Sequence, residues 1–378
     1  MPDRYEVTYA ADATLAEVKP RGTAPSVVTK RRLRDVNRFE TISLVKTPNA
    51  EYGHMALLEV GKGCGRGCRF CLEGQVYRPV RHRSVEALRE TVRKFAADGS
   101  TRVGLVGACV SDYPWIGQLL DVVHDAGLEV SISSIRADSL TDPLVAALAR
   151  GGHRTLTIAP EAGTERLRRV IRKAITDEQI DGACDLVRRR GIPNLKTYFM
   201  IGQPTETMAD VEAIPALAAR MLERLRVPDG QGHPFGRLTL SISSFVPKPW
   251  TPFQWAPFDG APSLQKKLEL IKQGVRRFSN VRVLHENPRE AALQALLARG
   301  DRRVAPFLAR AAALDGDWRR ALREWDGDPA FYTTRPRGTD ERLPWDHLDV
   351  GVKKSGLVRE WERALAADAA TSLTTVVT

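Results

Sequence analysis

The chain has 378 residues, of which 43% are hydrophobic and 27% charged, and its formal net charge is +11. This composition is typical of globular proteins, so it excludes a largely disordered chain, a collagen and a long coiled coil. The positive charge suits a polyanionic partner such as RNA, but the arginines are scattered along the chain rather than gathered in one stretch. A nucleic-acid partner therefore stays open as an alternative and is not favoured.

The first 50 residues are expected to form a short N-terminal extension, in which residues 30–38 (KRRLRDVNR) are solvated or act as a lid. The first residues, MPDRYEVTYAADATL, lack the apolar segment of a signal peptide. No apolar run approaches the ~18 residues that a membrane helix needs. We therefore expect a cytoplasmic protein with no membrane partner.

Cysteines provide the strongest chemical signal. There are five, and an odd number argues against a disulfide framework. Cys64, Cys68 and Cys71 follow a predicted strand with the spacing C-x3-C-x2-C, which indicates a metal or iron–sulfur site. A structural zinc site normally has four protein ligands, and the next Cys or His is His82, eleven residues on. The pattern therefore favours a metal site with one position left open.

Apolar, β-branched runs alternate with helical patterns along most of the chain. The predicted strands are 55–60, 102–106, 129–135, 155–160, 194–201 and 238–246. The predicted helices are 84–98, 115–126, 141–150, 163–190 with a break near 174–176, and 206–226. This alternation predicts an α/β fold with a parallel sheet. In such folds the functional residues gather where the strands end.

The C-x3-C-x2-C motif, with the aromatic Phe70 before its third cysteine, resembles the signature of the radical S-adenosylmethionine (SAM) superfamily. The resemblance covers about residues 50–285 and implies a partial (β/α)6 TIM-like barrel. It implies a 4Fe–4S cluster held by Cys64, Cys68 and Cys71, with SAM on the open iron. It further implies an enzyme that forms a 5′-deoxyadenosyl radical and draws its electron from a reductant such as flavodoxin or ferredoxin.

In this resemblance, candidate SAM-binding residues follow the second and third strands. Gly107 and Ala108 stand where relatives carry a Gly-Gly-Glu-like turn for the SAM amino group, and Cys109 replaces the glutamate. Ser133 and Arg136 are candidate contacts to ribose or carboxylate. Cys109 is also a candidate catalytic hydrogen-atom donor, although a free cysteine is commonly a small buried hydrophobe.

The fourth and fifth strands end in segments similar to the methylthiotransferase and coproporphyrinogen-oxidase-like branch. Glu161 matches the glutamate of that branch's Glu-Ser-Gly segment, and Lys173 stands where the branch places a basic residue for the SAM carboxylate. Gly202 begins a Gly-x-Pro-x-Glu turn. Taken singly, Glu161 is equally a carboxylate favoured at a helix N-terminus, and Lys173 is an ordinary solvated residue. Their order after successive strands supports the SAM-binding interpretation.

Residues 286–378 are predicted to be a helical C-terminal region with a frayed tail at 366–378. The region is similar to the tail of an uncharacterised radical SAM subgroup that often carries an N-terminal cobalamin-binding-like domain. About 50 residues before the barrel are too few for such a domain, so none is expected. The predicted domains are therefore 1–50, 51–285 and 286–378.

Three functions follow from these patterns. The favoured one is a biosynthetic radical SAM enzyme that abstracts hydrogen from a small-molecule or natural-product substrate. The second is radical SAM modification of RNA, against which the sequence offers neither a second cysteine cluster nor a recognisable RNA-binding module. The third is a non-catalytic iron–sulfur protein, which the intact cysteine motif makes least favoured.

Overall fold

The structure of the protein is a computed structural model. It describes residues 4–43, 47–50, 52–53, 55–227 and 234–374, with side chains of the last helix described as far as Ala367. The N-terminal extension forms a hairpin of β1 (Tyr5–Tyr9) and β2 (Leu15–Pro20), followed by the short strand β3 (Val28–Thr29). Strand β3 pairs in parallel with Leu348–Asp349, so backbone hydrogen bonds join the extension to the C-terminal region.

Residues 30–38 are mostly exposed, and the segment contacts the body of the protein through a few residues. Val36 is buried. The guanidinium of Arg83 donates hydrogen bonds to the carbonyl oxygens of Val36 and Phe39, the latter at 2.8 Å. Arg83 also pairs with Glu59 at 2.9 Å. These contacts therefore anchor a segment that is otherwise largely exposed.

A curved series of parallel strands forms the centre of the fold. The remaining strands are β4 (Ala56–Glu59), β5 (Gly61–Lys62), β6 (Arg81–His82), β7 (Arg102–Val106), β8 (Glu129–Ile132), β9 (Thr155–Glu161), β10 (Asn194–Ile201), β11 (Arg237–Ser244), β12 (Val281–His285) and β13 (Leu348–Asp349). One sheet has the order β4-β7-β8 and the other β9-β10-β11-β12, and a parallel bridge between Ile135 and Ile158 connects them.

This topology confirms the predicted α/β fold with a parallel, partial barrel. All six predicted strands are present within a few residues of their predicted bounds. The structure adds a seventh parallel strand, β12, which pairs with β11. The sequence pattern missed β12 because its Arg282 and His285 are exposed and break up the apolar run.

Helices cover the outer face of the strands. They are α1 (Glu73–Val76), α2 (Val85–Ala97), α3 (Ile116–Asp125), α4 (Asp142–Arg150), α5 (Glu165–Val170), α6 (Asp177–Arg189), α7 (Met208–Arg226), α8 (Ala261–Val275), α9 (Pro288–Arg299), α10 (Ala305–Ala313), α11 (Trp318–Glu324), α12 (Pro329–Tyr332) and α13 (Lys354–Thr374). Hydroxyl caps at Ser84, Thr176 and Thr207 begin α2, α6 and α7, and a capping box completes the last two.

Alternation along the strands separates two faces. In β10, Leu195 and Phe199 are fully buried in the large hydrophobic core between strands and helices, whereas Lys196 and Tyr198 are half-buried on the opposite face. Thr239 and Ser241 of β11 stand beside these two residues in the parallel register. We call this opposite, polar face the inner face. Its residues are polar and only half-buried.

The C-terminal region packs onto the loop that follows β11. Arg299, fully buried at the end of α9, donates hydrogen bonds to the carbonyl oxygens of Ala256, Tyr332 and Arg335. Helix α13 continues to Thr374, beyond the predicted start of the frayed tail, and residues 375–378 lie outside the described chain. Among the described helices, none is both long enough and apolar enough to span a membrane.

Candidate active site

The three clustered cysteines lie in a loop between β5 and α1, at the carboxyl end of β4. Pairing of β5 with β6 closes the base of this loop. Gly63, with φ of 85°, approaches the segment after α1 so closely that a Cβ atom there would lie 2.4 Å from the carbonyl oxygen of Tyr77. Only glycine fits that position, because it combines a left-handed backbone with close contact. The loop is thus folded back on itself around the cysteines.

Each of the three thiols has a nearby N–H donor. The Cys64 Sγ atom accepts from the amide of Arg66 at 3.5 Å, and the Cys71 Sγ atom accepts from the amide of Gly74 at 3.4 Å. The Cys68 Sγ atom lies 3.9 Å from a guanidinium nitrogen of Arg136. Such donors stabilise sulfur that carries negative charge.

Burial opposes ionisation of two of these thiols. Desolvation raises the pKa of Cys68, and the positive charges of Lys173 and Arg136 offset part of that rise. Desolvation likewise raises the pKa of Cys71, and the amide of Gly74 offsets part of it. Metal ligation requires thiolates, so metal binding at this loop has to displace protons from buried sulfur.

The donor set fits an iron–sulfur cluster better than a single ion. Across the residues that the structure describes, no group of three or more His, Cys, Asp or Glu side chains is arranged to hold one metal ion. A four-iron cluster is larger than one ion and takes thiolates that stand farther apart. Cys64, Cys68 and Cys71 would hold three of its irons, and the missing fourth ligand leaves one iron open.

Ion pairs hold the cysteine loop to the strand ends around it. Arg66 binds Asp112, after β7, through two hydrogen bonds of 2.6 Å and reaches Asp138, after β8, at 3.3 Å. Arg69 donates to the carbonyl oxygen of Val170 at 2.6 Å and pairs with Glu360 of α13 at 3.2 Å. None of these partners was predictable from the sequence, because no local motif links residues so far apart in the chain.

Two predicted residues form an ion pair beside Cys68. The Lys173 Nζ atom lies 2.8 Å from the Glu161 Oε1 atom, and both side chains are largely buried. Glu161 has a φ of 70°, and its carbonyl oxygen accepts a hydrogen bond from the side chain of Gln203 at 3.2 Å. The charges of Glu161 and Lys173 both act on the Cys68 thiol. The structure therefore brings together the cysteines, Arg136, Glu161 and Lys173.

The other predicted residues lie around this centre. Cys109 is half-buried after β7, near Asp112, and burial raises the pKa of its thiol to about 11, so the thiol stays protonated at neutral pH. Gly107 and Ala108 precede it in the same loop. Ser133 is exposed. The amide of Gly202 is already paired, since it donates to the carboxylate of Glu206 at 2.8 Å.

A second group of buried charged residues, not among the predicted site residues, lies at the end of β10. Glu206 accepts from Gly202 and pairs with Lys267 of α8 at 2.7 Å, and Lys267 also lies 2.9 Å from Asp259. Burial raises the pKa of Glu206, and the charge of Lys267 opposes that rise. In the sequence, the only indication of this group was Glu206, the glutamate of the Gly-x-Pro-x-Glu turn.

Aromatic side chains close one side of the site. Phe70 packs against a hydrophobic cluster that includes Phe245 and Phe253, and Trp255 is fully buried near it. The loop after β11 therefore uses Phe253 and Trp255 for packing. Because both rings are fully buried, neither is free to stack on a substrate.

Sequence comparison assigns the domain built around this loop. Residues 58–218 match the family model described as Radical SAM superfamily. This part of the chain is thus similar to the radical SAM domain. The chain is also 37% identical over 258 residues to the uncharacterised protein MJ0966 of Methanocaldococcus jannaschii, an alignment that covers 68% of this chain and 54% of MJ0966.

Other relatives of the radical SAM domain are more distant. A tRNA-2-methylthio-N(6)-dimethylallyladenosine synthase of Staphylococcus epidermidis is 25% identical over 181 residues, which cover 44% of this chain and 35% of the synthase. Coproporphyrinogen III oxidase of Escherichia coli is 13% identical with a TM-score of 0.40, over 62% of this chain and 63% of the oxidase. The chain thus spans about half the length of MJ0966 and about a third of the synthase.

Proposed function

We propose that the protein is a radical SAM enzyme that acts on a small molecule or a natural-product intermediate. The observation that carries this proposal is the position of Cys64, Cys68 and Cys71 at the carboxyl end of β4, beside the Glu161–Lys173 ion pair. Cys64, Cys68 and Cys71 would hold a 4Fe–4S cluster with SAM on its open iron, and this group would supply the one-electron cleavage of SAM and the abstraction of hydrogen from the substrate.

The residues of the chain bind and orient SAM in this proposal. The ammonium of Lys173 binds the SAM carboxylate, and Glu161 fixes the position of that ammonium through its 2.8 Å contact. The guanidinium of Arg136, held by two hydrogen bonds to Asp138, offers a second fixed positive group near Cys68. Groups fixed before the ligand arrives reorganise little during reaction, which is why such positioning accelerates chemistry.

Gly202 acts in this proposal through its backbone conformation. Its φ is 81°, and a Cβ atom there would lie 2.8 Å from Leu264. Since the Gly202 amide is paired with Glu206, the residue shapes the turn after β10 and offers no N–H to SAM. The contacts of Gly107 and Ala108 to the SAM amino group rest on their backbone carbonyl oxygens, because no glutamate follows them.

The decisive experiment measures cluster binding and SAM cleavage together. Anaerobically reconstituted protein should bind about four iron and four sulfide per chain and, after dithionite reduction, convert SAM to 5′-deoxyadenosine. Replacing Cys64, Cys68 or Cys71 with Ala should abolish the cluster absorbance, whereas Cys184→Ala should retain it because Cys184 is buried in the core. A triple Cys→Ala variant with an unchanged cluster contradicts the ligand assignment.

RNA modification is the second candidate, supported by the net charge of +11 and by the tRNA-modifying relative. A phosphate-binding enzyme loses affinity steeply with salt because it releases counterions. We expect only weak, non-specific RNA binding that disappears at physiological salt. A tight, sequence-selective RNA complex at that salt would identify RNA as the substrate. Failure of the cluster-loaded protein to cleave SAM would instead identify it as a non-catalytic iron–sulfur protein.

A further inference from the structure

A positively charged groove of about 630 Å³ lies between the N-terminal extension and the segment that follows the cysteine loop. Four cations line it, namely Lys30, Arg32, Arg34 and Arg81, and Asp349 is the one acidic residue among its described lining. We call these four residues the cationic groove. Within the described part of the chain, no carboxylate forms an ion pair with any of them.

Backbone carbonyl groups hold three of the four cations in place. The Lys30 Nζ atom donates to the carbonyl oxygen of Val76 at 3.2 Å and lies 3.7 Å from the centre of the Tyr77 ring. Arg32 donates to the carbonyl oxygen of Val350, and Arg81 donates to those of Leu33 and Tyr77. A carbonyl oxygen orients a cation but leaves its charge unneutralised, so the groove keeps its positive potential.

The crowding of these cations supports the same conclusion. Desolvation lowers the pKa of Lys30, and the nearby charges of Arg32 and Arg81 lower it further. Like charges placed together without a counter-charge destabilise the protein, and such arrangements are typical of sites that receive an anionic partner.

The groove adjoins the loop that carries the cysteines. Lys30 contacts Val76 and Tyr77, which end the helix that begins two residues after Cys71. In the same segment the Tyr77 carbonyl lies close to Gly63, and the Arg78 side chain lies against Gly67. Residues 76–81 thus contact both the groove and the cysteine loop, so a partner seated in the groove lies close to that loop.

We infer that the cationic groove is the docking surface for an acidic one-electron carrier protein of the flavodoxin or ferredoxin type. This inference rests on the proposed function, in which the cluster has to receive one electron for each SAM cleaved. In the transfer the reduced carrier loses one electron and the cluster gains it, and no covalent bond forms or breaks. The groove supplies both the charge that attracts an acidic surface and proximity to the electron acceptor.

The charges at the mouth of the barrel favour an electron carrier over an RNA. There Arg66 is paired with Asp112, Arg136 with Asp138, and Lys173 with Glu161. An RNA substrate would need unpaired cations at this mouth to hold its phosphates while a base enters the site. Lys30, Arg32, Arg34 and Arg81, by contrast, have no ion pair in the described residues, and their groove borders the segment that follows the cysteine loop, where an acidic carrier can approach.

The test reverses charge in the groove and measures carrier binding directly. Arg32→Glu/Arg34→Glu is compared with Lys266→Glu/Arg289→Glu, which changes the same number of exposed charges on α8 and α9. Binding of a purified acidic flavodoxin is measured by calorimetry at low and high salt. SAM cleavage is then measured with the same flavodoxin and, separately, with dithionite, at matched iron content. Arg32→Gln/Arg34→Gln is the milder groove variant.

For the groove variant we expect the Kd for flavodoxin to rise about tenfold or more at low salt, and the difference to shrink at high salt. The Gln variant should give an intermediate Kd, and the control should match the parent. With dithionite all variants should cleave SAM within about twofold of the parent. Equal Kd values for groove and control variants overturn the inference, as does an RNA that binds the groove while the carrier does not.

Failure of the proposed function gives a different result. In that case the parent protein makes no 5′-deoxyadenosine even with dithionite, which needs no docking surface. The Kd for flavodoxin is measured without SAM cleavage, so it tests the docking surface independently of the activity.

Discussion

Glu161 has a left-handed backbone, with φ of 70°, although it is not a glycine. Such a conformation costs a residue with a side chain roughly 1–2 kcal/mol. The conformation lets the Glu161 carboxylate meet Lys173 while the Glu161 carbonyl meets Gln203. A strained residue at a strand end, with its charge next to Cys68, is consistent with a role in binding SAM.

At this scale, the first prediction separates the stability of the Glu161–Lys173 pair from its function. Lys173→Met or Glu161→Gln leaves one buried partner uncompensated, so each should lower the free energy of unfolding by about 3–5 kcal/mol. The double variant should recover much of that loss, since no buried charge remains unpaired. Denaturant titration measures this effect.

SAM cleavage should respond differently, falling roughly ten- to a thousand-fold in both single variants and in the double variant, because SAM loses a positioned charge. The comparison uses 5′-deoxyadenosine formation at matched iron content. If the double variant is both stable and as active as the parent, the pair is structural and the SAM-binding assignment is wrong.

A second residue-scale prediction concerns Cys184, which is fully buried in α6. Burial raises the pKa of its thiol from 9.0 to about 12. Between these values the unfolded chain loses the proton and the folded chain keeps it, so the stabilising contribution of this thiol is full below pH 9 and falls as the pH rises towards 12.

Raising the pH from 7.5 to 10 should therefore destabilise the parent relative to Cys184→Ala by roughly 1–2 kcal/mol, reported as the difference between their free energies of unfolding. The two proteins carry equal cluster loads. If the difference between the two free energies of unfolding stays constant with pH, the Cys184 thiol ionises as readily in the folded protein as in the unfolded chain.

At the scale of elements, the turn between β9 and α5 is set by a close approach to α7. A Cβ atom on Gly163 would lie 2.7 Å from the carbonyl oxygen of Asp210 and 2.7 Å from the amide nitrogen of Ile214. Arg166 and Thr164 also bind the Asp210 carboxylate. The turn that positions Glu161 is therefore fixed by a helix more than forty residues later in the chain.

Two glycine substitutions should act in opposite directions. Gly163→Ala should lower the free energy of unfolding by roughly 1–3 kcal/mol, because backbone atoms of α7 must shift. Gly182→Ala, within α6 and with nothing within 4 Å of the added Cβ atom, should raise it by up to about 1 kcal/mol. Thermal and denaturant unfolding of both variants measures these changes. Destabilisation by both, to the same extent, contradicts the steric argument.

The strands and helices of the barrel were predictable because their patterns are local. Thr176 and Thr207 precede amphipathic runs, and the alternation along β10 marks its two faces. The three cysteines were predictable because they lie within one loop. The contacts of Arg66 and Arg69 were not, because their partners are up to 291 residues away and no spacing rule connects them.

At the scale of the whole molecule, Arg299 fastens the C-terminal region to the barrel. Its fully buried guanidinium donates to three carbonyl oxygens from two segments of the chain, and Arg337 in turn donates to the carbonyl oxygen of Arg299 at 2.7 Å. Removing such a donor leaves buried acceptors without partners, at about 1–3 kcal/mol for each acceptor.

Arg299→Met should therefore loosen the C-terminal region before the barrel unfolds. We expect limited proteolysis to cut within residues 286–350 several-fold faster than in the parent, at a temperature where the hydrogen-exchange protection of β10 is unchanged. Arg289→Met, an exposed change on the same helix, is the control. Equal cleavage rates for the two variants mean that the region is held mainly by its apolar contacts.

The anchoring of the cysteine loop has a consequence for how the protein matures. Arg66 ties the loop to Asp112 and Asp138, and Arg69 ties it to Val170 and Glu360, using protein groups alone. The cysteine loop is thus held in place by the folded chain itself. We therefore expect iron and sulfide to enter a loop that is already folded, and a lost cluster to be rebuilt without unfolding the chain.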